Sequence, residues 1–489
     1  MLVHSFLRLV QLGFLFISLT PLLISIAHHH IQALRSGEEL SLFTPDYFTL
    51  YAILLVANLL VWLFLRKNKK TITEISESYW EELRNIPQRY LGVAIAASAG
   101  IGLFLELAVI RWQVSVIPLL SFYKNFGLFA CFAGLGLGYA VSERKSIPML
   151  CVVPLMGLQI TVLMYLKYAM GADLLADVIA NPITETVNMG VINTRTNVQL
   201  ITVYFALSGI FLLTALTFIP LGQLAGTLMT RSPSNLKAYS YNLLGSLAGV
   251  IAMQAMSIIW TPPIIWFGVA FAGLLCFMLH SYRTLFVSGA LSLIVLSIMA
   301  WPVSFEVQRI YSPYQLIERE YTPDGLMHIR AAGHTFQTAH NLDRDHVAQV
   351  NIPSVTRQAQ YYELPYNVLG KPKRVAIVGA GTGNDVAAAL RMGAEHVDAV
   401  EIDPAVLMLG ELYHPEKPYS DERVTSIVND ARSHFRNTDQ SYDMILYGLL
   451  DSHSVLSHAS SVRLDSFVYT VEGFREARSR LTENGVLSL

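Results

Sequence analysis

The chain has 489 residues, of which 53% are hydrophobic and only 14% are charged, whereas about a quarter of the residues in soluble domains are charged. This deficit of charge indicates contact with lipid, and the apolar excess is concentrated before about residue 304. A formal net charge of −2 gives no reason to expect nucleic-acid binding, which requires a basic face. We therefore expect a membrane part followed by a soluble part, without a nucleic-acid partner.

Nine stretches meet the requirement of about 20 mostly apolar residues for a membrane-spanning helix. They lie near residues 5–27, 46–65, 91–112, 125–142, 148–167, 200–226, 239–258, 263–281 and 285–303. The first also resembles a signal peptide, with Ser25-Ile26-Ala27 as a cleavage-like site. Its long apolar run and single early Arg8 favour an uncleaved anchor.

The basic residues of the short loops predict which side of the membrane each loop faces. With nine spans they all fall on one side, which should be cytosolic: Arg66, Lys67, Lys69, Lys70, Arg144, Lys145, Arg231, Lys237 and Arg283. An odd number of spans then puts the C-terminal part on the opposite side. A hairpin around Pro220 and Gly222 would make the number of membrane crossings even and return the C-terminal part to the cytosolic side. We therefore expect a multi-pass protein of the inner membrane. The side on which its C-terminal part lies is left open, with the cytosol favoured.

Two charged residues lie inside the predicted span 91–112, where a charge is costly and usually faces a partner or a cavity. Glu106 and Arg111 are about one turn apart, so Arg111 could be the ion partner of Glu106 near the helix end. A functional cavity is the equal alternative. In the next span, the glycines of Gly134–Gly138 predict close helix packing.

The cysteines and histidines of this part predict no metal site. Cys131, Cys151 and Cys276 lie in or beside apolar stretches and lack the close pairing of a zinc site or a disulfide framework. The run His28–His30 consists of adjacent residues, which cannot converge on one ion without further ligands.

Beyond Trp301 the pattern changes to short alternating runs with turn residues such as Pro323 and Gly325. This pattern predicts a small β region up to about residue 352 and then a linker-like stretch through Pro365. After Lys371 the order strand, glycine turn, helix, strand is typical of a parallel α/β sheet. The predicted domains are therefore residues 1–304, 305–365 and 366–489.

The run Arg374–Val378 leads into the turn Gly379-Ala380-Gly381-Thr382-Gly383, and a helical pattern follows. Glycines in such a turn let the backbone approach a ligand closely, and the helix start offers free N–H groups. A second strand ends in Glu401, at the spacing expected of an acid that holds ribose hydroxyls. The combination predicts a nucleotide-binding domain.

The next two predicted strands, 424–428 and 444–447, end near acids that should face the same crevice. Asp430, followed by Ala431, could accept a hydrogen bond from an adenine amino group. Asp451 could meet a cationic substrate, with a loop cap as the alternative.

Several motifs occur together along the chain: Ser312-Pro313-Tyr314-Gln315, Phe336-Gln337, the turn from Gly379 to Asp385, Glu401-Ile402-Asp403-Pro404, Asp430-Ala431 and Tyr442-Asp443, with Leu105-Glu106 and Tyr241-Asn242-Leu243-Leu244-Gly245 in the apolar part. They resemble the spermidine synthases, the polyamine aminopropyltransferases, and in particular their bacterial membrane-fused relatives, over roughly residues 91–489. The resemblance implies a Rossmann-like domain of the class I methyltransferase type. It also implies S-adenosylmethionine or its decarboxylated form as a substrate, an amine as acceptor and no metal, and it allows a homo-oligomer.

The resemblance also assigns roles to single residues. It implies that Gln315 and Glu401 hold the nucleoside sugar, that Asp430 holds the adenine, and that the methionine-derived chain lies against the turn with Gly379, Gly381 and Gly383. Asp385 and Ala431 are counted among the cofactor-binding residues as well.

Two positions depart from the family's pattern. The acid of the family's glycine turn is Thr382 here, and the first of its two acids after the fourth strand is Gly448, which leaves Asp451. An amine attacks only when it is neutral, so it needs a group that accepts its proton. With glycine at position 448, the family's usual proton acceptor is missing. Asp385 or His453 could replace it, although His453 is equally explained as an exposed loop residue.

We therefore expect a membrane-bound transferase that moves a group from S-adenosylmethionine or decarboxylated S-adenosylmethionine to an amine. One alternative is a methyltransferase. The other is a transporter or sensor with a non-catalytic nucleotide domain, and the observation that supports it is Glu106 inside a predicted span. The last predicted strand, 485–489, is the fifth of a sheet type that has seven, so the domain is expected to be truncated after it.

Overall fold

The structure is a computed structural model, and it describes residues 2–36, 45–116, 120, 124–143, 147–168, 197–301, 306–323, 325–331, 334–448 and 468–489. The chain divides between Val303 and Ser304 into two compact units. The described part of the first unit is helical, and the second combines two sheets with helices.

The first unit consists of long apolar helices: α1 Leu2–Ser36, α2 Pro45–Arg84, α3 Gln88–Val116, α4 Lys124–Ala140, α5 Val152–Tyr168, α6 Asn197–Thr230, α7 Asn235–Ile258, α8 Pro263–Cys276 and α9 Tyr282–Ala300. Within the described ranges, six helices are long and apolar enough to cross a membrane, namely α1, α3, α5, α6, α7 and α9. The predicted spans at 125–142 and 263–281 correspond to the shorter apolar helices α4 and α8, and the span at 46–65 lies within α2.

Glycines let pairs of these helices approach until backbone meets backbone. A Cβ on Gly245 of α7 would lie 2.0 Å from the carbonyl oxygen of Ala96 in α3. Cβ atoms on Gly134 and Gly138 of α4 would each lie 2.2 Å from a carbonyl oxygen of α6, whereas one on Gly136 would meet nothing within 4 Å. The predicted packing role is therefore confirmed for two of these three glycines.

The predicted hairpin around Pro220 and Gly222 is wrong, because α6 continues through both residues as one helix. Proline is tolerated in an apolar helix where neighbouring helices satisfy the freed backbone groups. A Cβ on Gly222 would lie 2.2 Å from the Leu135 carbonyl oxygen. This glycine therefore permits a helix contact rather than a bend.

The predicted ion pair between Glu106 and Arg111 is also wrong. Glu106 is buried, and neither of its carboxylate oxygens has a hydrogen-bond partner in the described part of the chain. The Arg111 guanidinium donates to Ser257 Oγ and lies 4.8 Å from the ring centre of Trp266. Residues five apart point about 140° away from each other around a helix, so these two side chains face different neighbours.

The second unit begins with an antiparallel sheet whose strands follow in sequence: β1 Gln308–Tyr311, β2 Leu316–Tyr321, β3 Met327–Ala331 and β4 His334–Thr338. The predicted extension of this β region to residue 352 is wrong, because α10 (Arg344–Val350) follows. The predicted linker through Pro365 is wrong as well, since α11 spans Pro353–Leu369. Pro353 stands in the first turn, where its missing N–H costs nothing, while Pro365 inside the helix made the pattern look broken.

The rest of the unit alternates strands and helices: β5 Arg374–Val378, α12 Asn384–Arg391, β6 His396–Glu401, α13 Pro404–Tyr413, β7 Val424–Val428, α14 Ala431–Asn437, β8 Tyr442–Tyr447, α15 Val471–Arg478 and β9 Leu481–Ser488. The five strands lie in the order β7-β6-β5-β8-β9, and all neighbours are parallel. Side chains of β5 pack alternately into two apolar clusters, one on each face of the sheet. The predicted parallel α/β sheet is confirmed.

Candidate active site

The candidate site lies outside the carboxyl ends of the central strands, where the order reverses beside β5 and ligands bind in such sheets. Backbone hydrogen bonds join the residues that follow neighbouring strands. Gly379 N donates to the Val400 oxygen at 2.9 Å, Gly448 N to Val378 at 2.9 Å and Asn429 N to Glu401 at 3.1 Å. The segments after β5, β6, β7 and β8 therefore meet along one edge.

The turn after β5 requires glycine for its conformation and for space. Gly379, Gly381 and Gly383 have φ angles of 70°, 57° and 107°, in the left-handed region that glycine favours. A Cβ on Gly381 would lie 2.6 Å from Gln337 Oε1. That oxygen accepts a hydrogen bond from Thr382 N at 2.9 Å, and Tyr419 OH donates to the Gly381 oxygen at 2.7 Å. Side chains from β4 and from beyond α13 thus fix the turn.

Glu401 ends β6 and faces this turn. Gly381 N donates to Glu401 Oε2 at 2.9 Å, and Asp403 N donates to Oε1 at 3.0 Å. Burial raises the pKa of Glu401, and these backbone hydrogen bonds oppose that rise. Each carboxylate oxygen has a second lone pair, so Glu401 can still accept hydrogen bonds from a ligand's hydroxyls.

The loop at Ser312 reaches the same place through Asp403. Ser312 Oγ donates to Asp403 Oδ2 at 2.7 Å and accepts from Gln315 N at 3.1 Å, and the Gln315 side chain also hydrogen-bonds to Asp403. Tyr314 lies between them in the loop. Burial raises the pKa of its phenol, and three carboxylates add to the shift: Asp403, Asp430 and Glu401. Gln315, Glu401 and Asp430 therefore all lie near Tyr314 and Asp403.

Asp430 follows β7 and begins α14. Its Oδ1 accepts a hydrogen bond from Ser433 N at 2.9 Å, which makes Asp430 the cap of the helix. Ala431, the first helical residue, is buried. The capping bond uses one carboxylate oxygen and leaves Oδ2 for other donors, so capping and adenine binding are compatible.

Asp385, in the first turn of α12, is the acid nearest to the altered positions. Burial raises its pKa to about 7. A Cβ on Gly448 would lie 3.3 Å from Asp385 Oδ2, so the carboxylate occupies the space in front of that glycine. Three tyrosines, of which Tyr366 is buried and the other two are partly buried, lie near enough for its charge to add to the burial that raises their pKa: Tyr362, Tyr366 and Tyr419. An acid therefore stands beside the position where the resemblance led us to expect one.

Of the three remaining residues that the sequence analysis singled out, the structure describes Thr382 but not Asp451 or His453. Thr382 is fully buried, and its Oγ1 has no hydrogen-bond partner among the residues that the structure describes. Asp451 and His453 lie outside the described residues, which end at 448 and resume at 468. Their predicted catalytic roles stay predictions.

Sequence reasoning missed Asn384, which connects the two sheets. Its Nδ2 donates to the Thr338 oxygen at 2.9 Å, and its Oδ1 accepts from His340 N at 3.0 Å. His414 Nε2 lies 3.1 Å from the same Oδ1. The available signal was its position: Asn384 is a polar residue directly after Gly383, at a helix start, where free backbone N–H groups are concentrated.

Comparison with known proteins agrees with the motifs. Residues 354–489 match the spermine/spermidine synthase domain, so the C-terminal part of the chain carries this domain. The chain is 27% identical over 122 residues to the polyamine aminopropyltransferase of Korarchaeum cryptofilum, covering 24% of this chain and 35% of that protein. It is 31% identical over 121 residues to the polyamine aminopropyltransferase of Vibrio vulnificus, covering 24% and 37%.

Among solved structures, spermidine synthase from Thermotoga maritima is similar at 19% identity with a TM-score of 0.28. The match covers 37% of this chain and 56% of that chain. This chain therefore spans a little over a third of the curated relatives' length and just over half of that structure.

Proposed function

We propose that the C-terminal unit transfers an alkyl group from a nucleoside sulfonium, S-adenosylmethionine or decarboxylated S-adenosylmethionine, to an amine. The observation that carries the proposal is the meeting of Glu401, Gln315 and Asp430 at one edge of the sheet, beside a glycine turn and a single acid in front of Gly448. The spermine/spermidine synthase domain match supports the same reaction class.

Each part of the donor substrate has a complementary group in this site. Glu401 is proposed to accept hydrogen bonds from the ribose hydroxyls, and Gln315 to donate to them or accept from them. Asp430 Oδ2 is proposed to accept a hydrogen bond from the adenine amino group. The turn Gly379–Gly383 presents backbone without side chains, so the methionine-derived chain can lie close to it. Residues 305–365 and 366–489 act together here, with Gln337 holding the turn.

Asp385 is proposed as the proton acceptor. The amine nitrogen forms a bond to the carbon next to the sulfonium, the carbon–sulfur bond breaks to leave a neutral thioether, and the amine proton passes to the Asp385 carboxylate. A base with a pKa of about 7 is suited to this step, because about half of it is ionised at neutral pH and it still holds the proton that it takes.

The helical region of residues 1–304 is proposed as a multi-pass anchor in the inner membrane, with the C-terminal unit in the cytosol. Six helices with the required length and apolarity support the anchor. The cytosolic side is proposed because S-adenosylmethionine and its decarboxylated form are made in the cytosol.

The test is a product assay with full-length protein in detergent, supplied with each nucleoside in turn and with a series of diamines and polyamines. Methylthioadenosine released in step with an alkylated amine would establish aminopropyl transfer, and S-adenosylhomocysteine would establish methyl transfer. Neither product, with nucleoside binding retained in isothermal titration, would overturn the transferase proposal.

A further inference from the structure

The helical unit buries three polar side chains at one point between α3, α5 and α6. Gln113 Nε2 and Gln159 Nε2 lie 2.9 Å and 2.7 Å from Thr214 Oγ1, and all three side chains are at most 1% exposed. The single hydroxyl proton of Thr214 goes to the Ile210 carbonyl oxygen at 2.8 Å. Both glutamines must therefore turn their NH₂ groups towards Thr214, which fixes the orientation of the two amides.

This orientation leaves two acceptors without donors. Gln113 Oε1 and Gln159 Oε1 are buried and have no hydrogen-bond partner in the described part of the chain. On α4, Gly127 lies next to Gln113, and a Cβ there would be 3.0 Å from Gln113 Oε1. An unpaired buried acceptor costs about 1–3 kcal/mol, so two of them at one point indicate that something else supplies the donors.

Glu106 adds a charge to the same face of α3. Both of its oxygens are buried without a donor from any described residue. Glu106 and Gln113 are seven residues apart, which places them on one face about 10.5 Å apart along the helix. Gly102, one turn before Glu106, is buried, yet a Cβ there would meet nothing within 4 Å. There is thus open space inside the bundle one helical turn before Glu106.

The acceptors define the chemistry of a ligand. Carboxylate and amide oxygens with no donors require a molecule that brings N–H groups and positive charge. A bound metal ion would need about six oxygens around one point, whereas these are spread over two helical turns. Between them, the same face of α3 carries the buried, apolar Val109. Where the two side chains project in parallel, this axial spacing of about 10.5 Å, less a hydrogen bond of about 2.9 Å at each end, suits two ammonium groups joined by roughly three or four methylenes.

We propose that the helical unit contains a binding site for an α,ω-diamine, with one ammonium group on Glu106 and the other on the amide oxygens of Gln113 and Gln159. The choice of an amine rests on the proposed function, since the same class of molecule would be the acceptor in the C-terminal unit. The site itself lies wholly within the helical unit and is separate from Glu401 and Asp385.

The test is equilibrium binding of radiolabelled 1,4-diaminobutane to full-length protein in detergent, compared between wild type, Glu106→Gln and the control Glu81→Gln. Glu81 is an exposed acid of α2 in the same unit. A charged hydrogen bond contributes on the order of a tenfold to hundredfold change in affinity. We expect Glu106→Gln to lose one binding event per chain or to weaken it by that factor, and Glu81→Gln to bind like wild type.

Wild-type competition provides a readout that does not depend on the folding of a variant. Excess 1-aminobutane or 1,4-butanediol, each lacking one or both ammonium groups, should displace the label at least tenfold less well than unlabelled 1,4-diaminobutane. Equal displacement by the monoamine, or unchanged binding by folded Glu106→Gln, would overturn the site. Transferase turnover in the same preparations separates the two proposals, because Glu106→Gln should retain it, and a protein with no turnover can still show Glu106-dependent binding.

Discussion

The two units differ in the hydrogen-bond donors that they supply to buried acids. Glu401 in the α/β unit receives backbone N–H groups from Gly381 and Asp403, whereas Glu106 in the helical unit receives none from the described residues. The cause is the backbone itself. In the middle of a helix every N–H is already bonded four residues back, while the turns after parallel strands leave N–H groups free. An acid buried within a helix must therefore find a side chain, water or ligand.

Glycine shows the same contrast. In the α/β unit, Gly381 is required by a φ of 57°. In the helical unit, Gly245 has ordinary helical geometry and is required because its neighbour Ala96 comes too close for any side chain. One unit thus uses glycine to shape a turn that faces a ligand, and the other uses it to bring helices together.

Asp385 differs from Glu401, because burial raises its pKa to about 7 and no hydrogen bond from the described residues lowers it. We expect Asp385→Asn to lower kcat on the order of 10²- to 10³-fold, as for other general bases, with nucleoside affinity kept. In wild type, kcat should rise with pH and level off above about 7. The measurement is the pH profile of product release for both proteins.

The same raised pKa predicts an opposite effect on stability. The folded state disfavours the charged carboxylate, so the wild-type free energy of unfolding falls as the pH rises from about 4 to about 7. Asp385→Asn should therefore be more stable than wild type at pH 8 and equal to it near pH 4. Full activity in Asp385→Asn would rule out this residue as the proton acceptor.

Glu401→Gln tests whether the hydrogen-bonded acid is also a ligand-binding acid. The amide puts an NH₂ group against one of two backbone N–H donors, so both the turn and the ribose contact should suffer. We expect nucleoside affinity to fall on the order of tenfold to a hundredfold, measured by isothermal titration. The control is Glu395→Gln, an exposed acid at the other end of β6. Equal affinities in both variants would remove Glu401 from the proposed site.

The sequence predicted the α/β unit well because its signals are local. The glycine turn, the acid after β6 and the alternation of strands and helices each occupy a few consecutive residues. The contacts that complete the site were not predictable, because they join distant segments: Gln337 to Thr382, Asn384 to Thr338 and Asp385 to Gly448.

In the helical unit the situation is reversed. Apolar length identified most of the helices, but nothing in the sequence showed which face each presents. The pairing of Glu106 with Arg111 failed for that reason. The hairpin at Pro220 failed because the helix continues through this residue, and Gly222 lies against the Leu135 carbonyl oxygen of α4. Gln113, Gln159 and Thr214 lie in three helices and became a cluster only in the structure.

Gly245→Ala tests the packing of the helical unit without touching a polar group. The added Cβ would lie 2.0 Å from the Ala96 oxygen, so α3 and α7 must separate, at a cost on the order of 1–3 kcal/mol. We expect a lower Tm in detergent. Gly289→Ala in α9 is the control, because its Cβ meets nothing within 4 Å and alanine favours the helix by up to about 1 kcal/mol. Similar Tm values for both variants would contradict close packing at Gly245.

Glu476→Gln should have the smallest effect, although among the acids that the structure describes Glu476 has the most ion pairs. Arg432 Nε lies 3.0 Å and Arg436 Nη2 2.6 Å from its carboxylate, at the protein surface. Hydrogen bonding to Arg432 is the main cause that lowers the pKa of Glu476, so its contribution is present at neutral pH and is lost as the pH falls through that lowered value. Exposed pairs contribute up to about 1 kcal/mol, and urea unfolding at pH 7 and pH 3 against Glu483→Gln would measure it. A loss of several kcal/mol would mean that paired acids stabilise the α/β unit. A small loss would mean that the ion pairs of Glu476 add little to the stability of the α/β unit. The acids that matter most in this unit would then be Glu401 and Asp385, which are proposed to bind the substrate and to accept the proton.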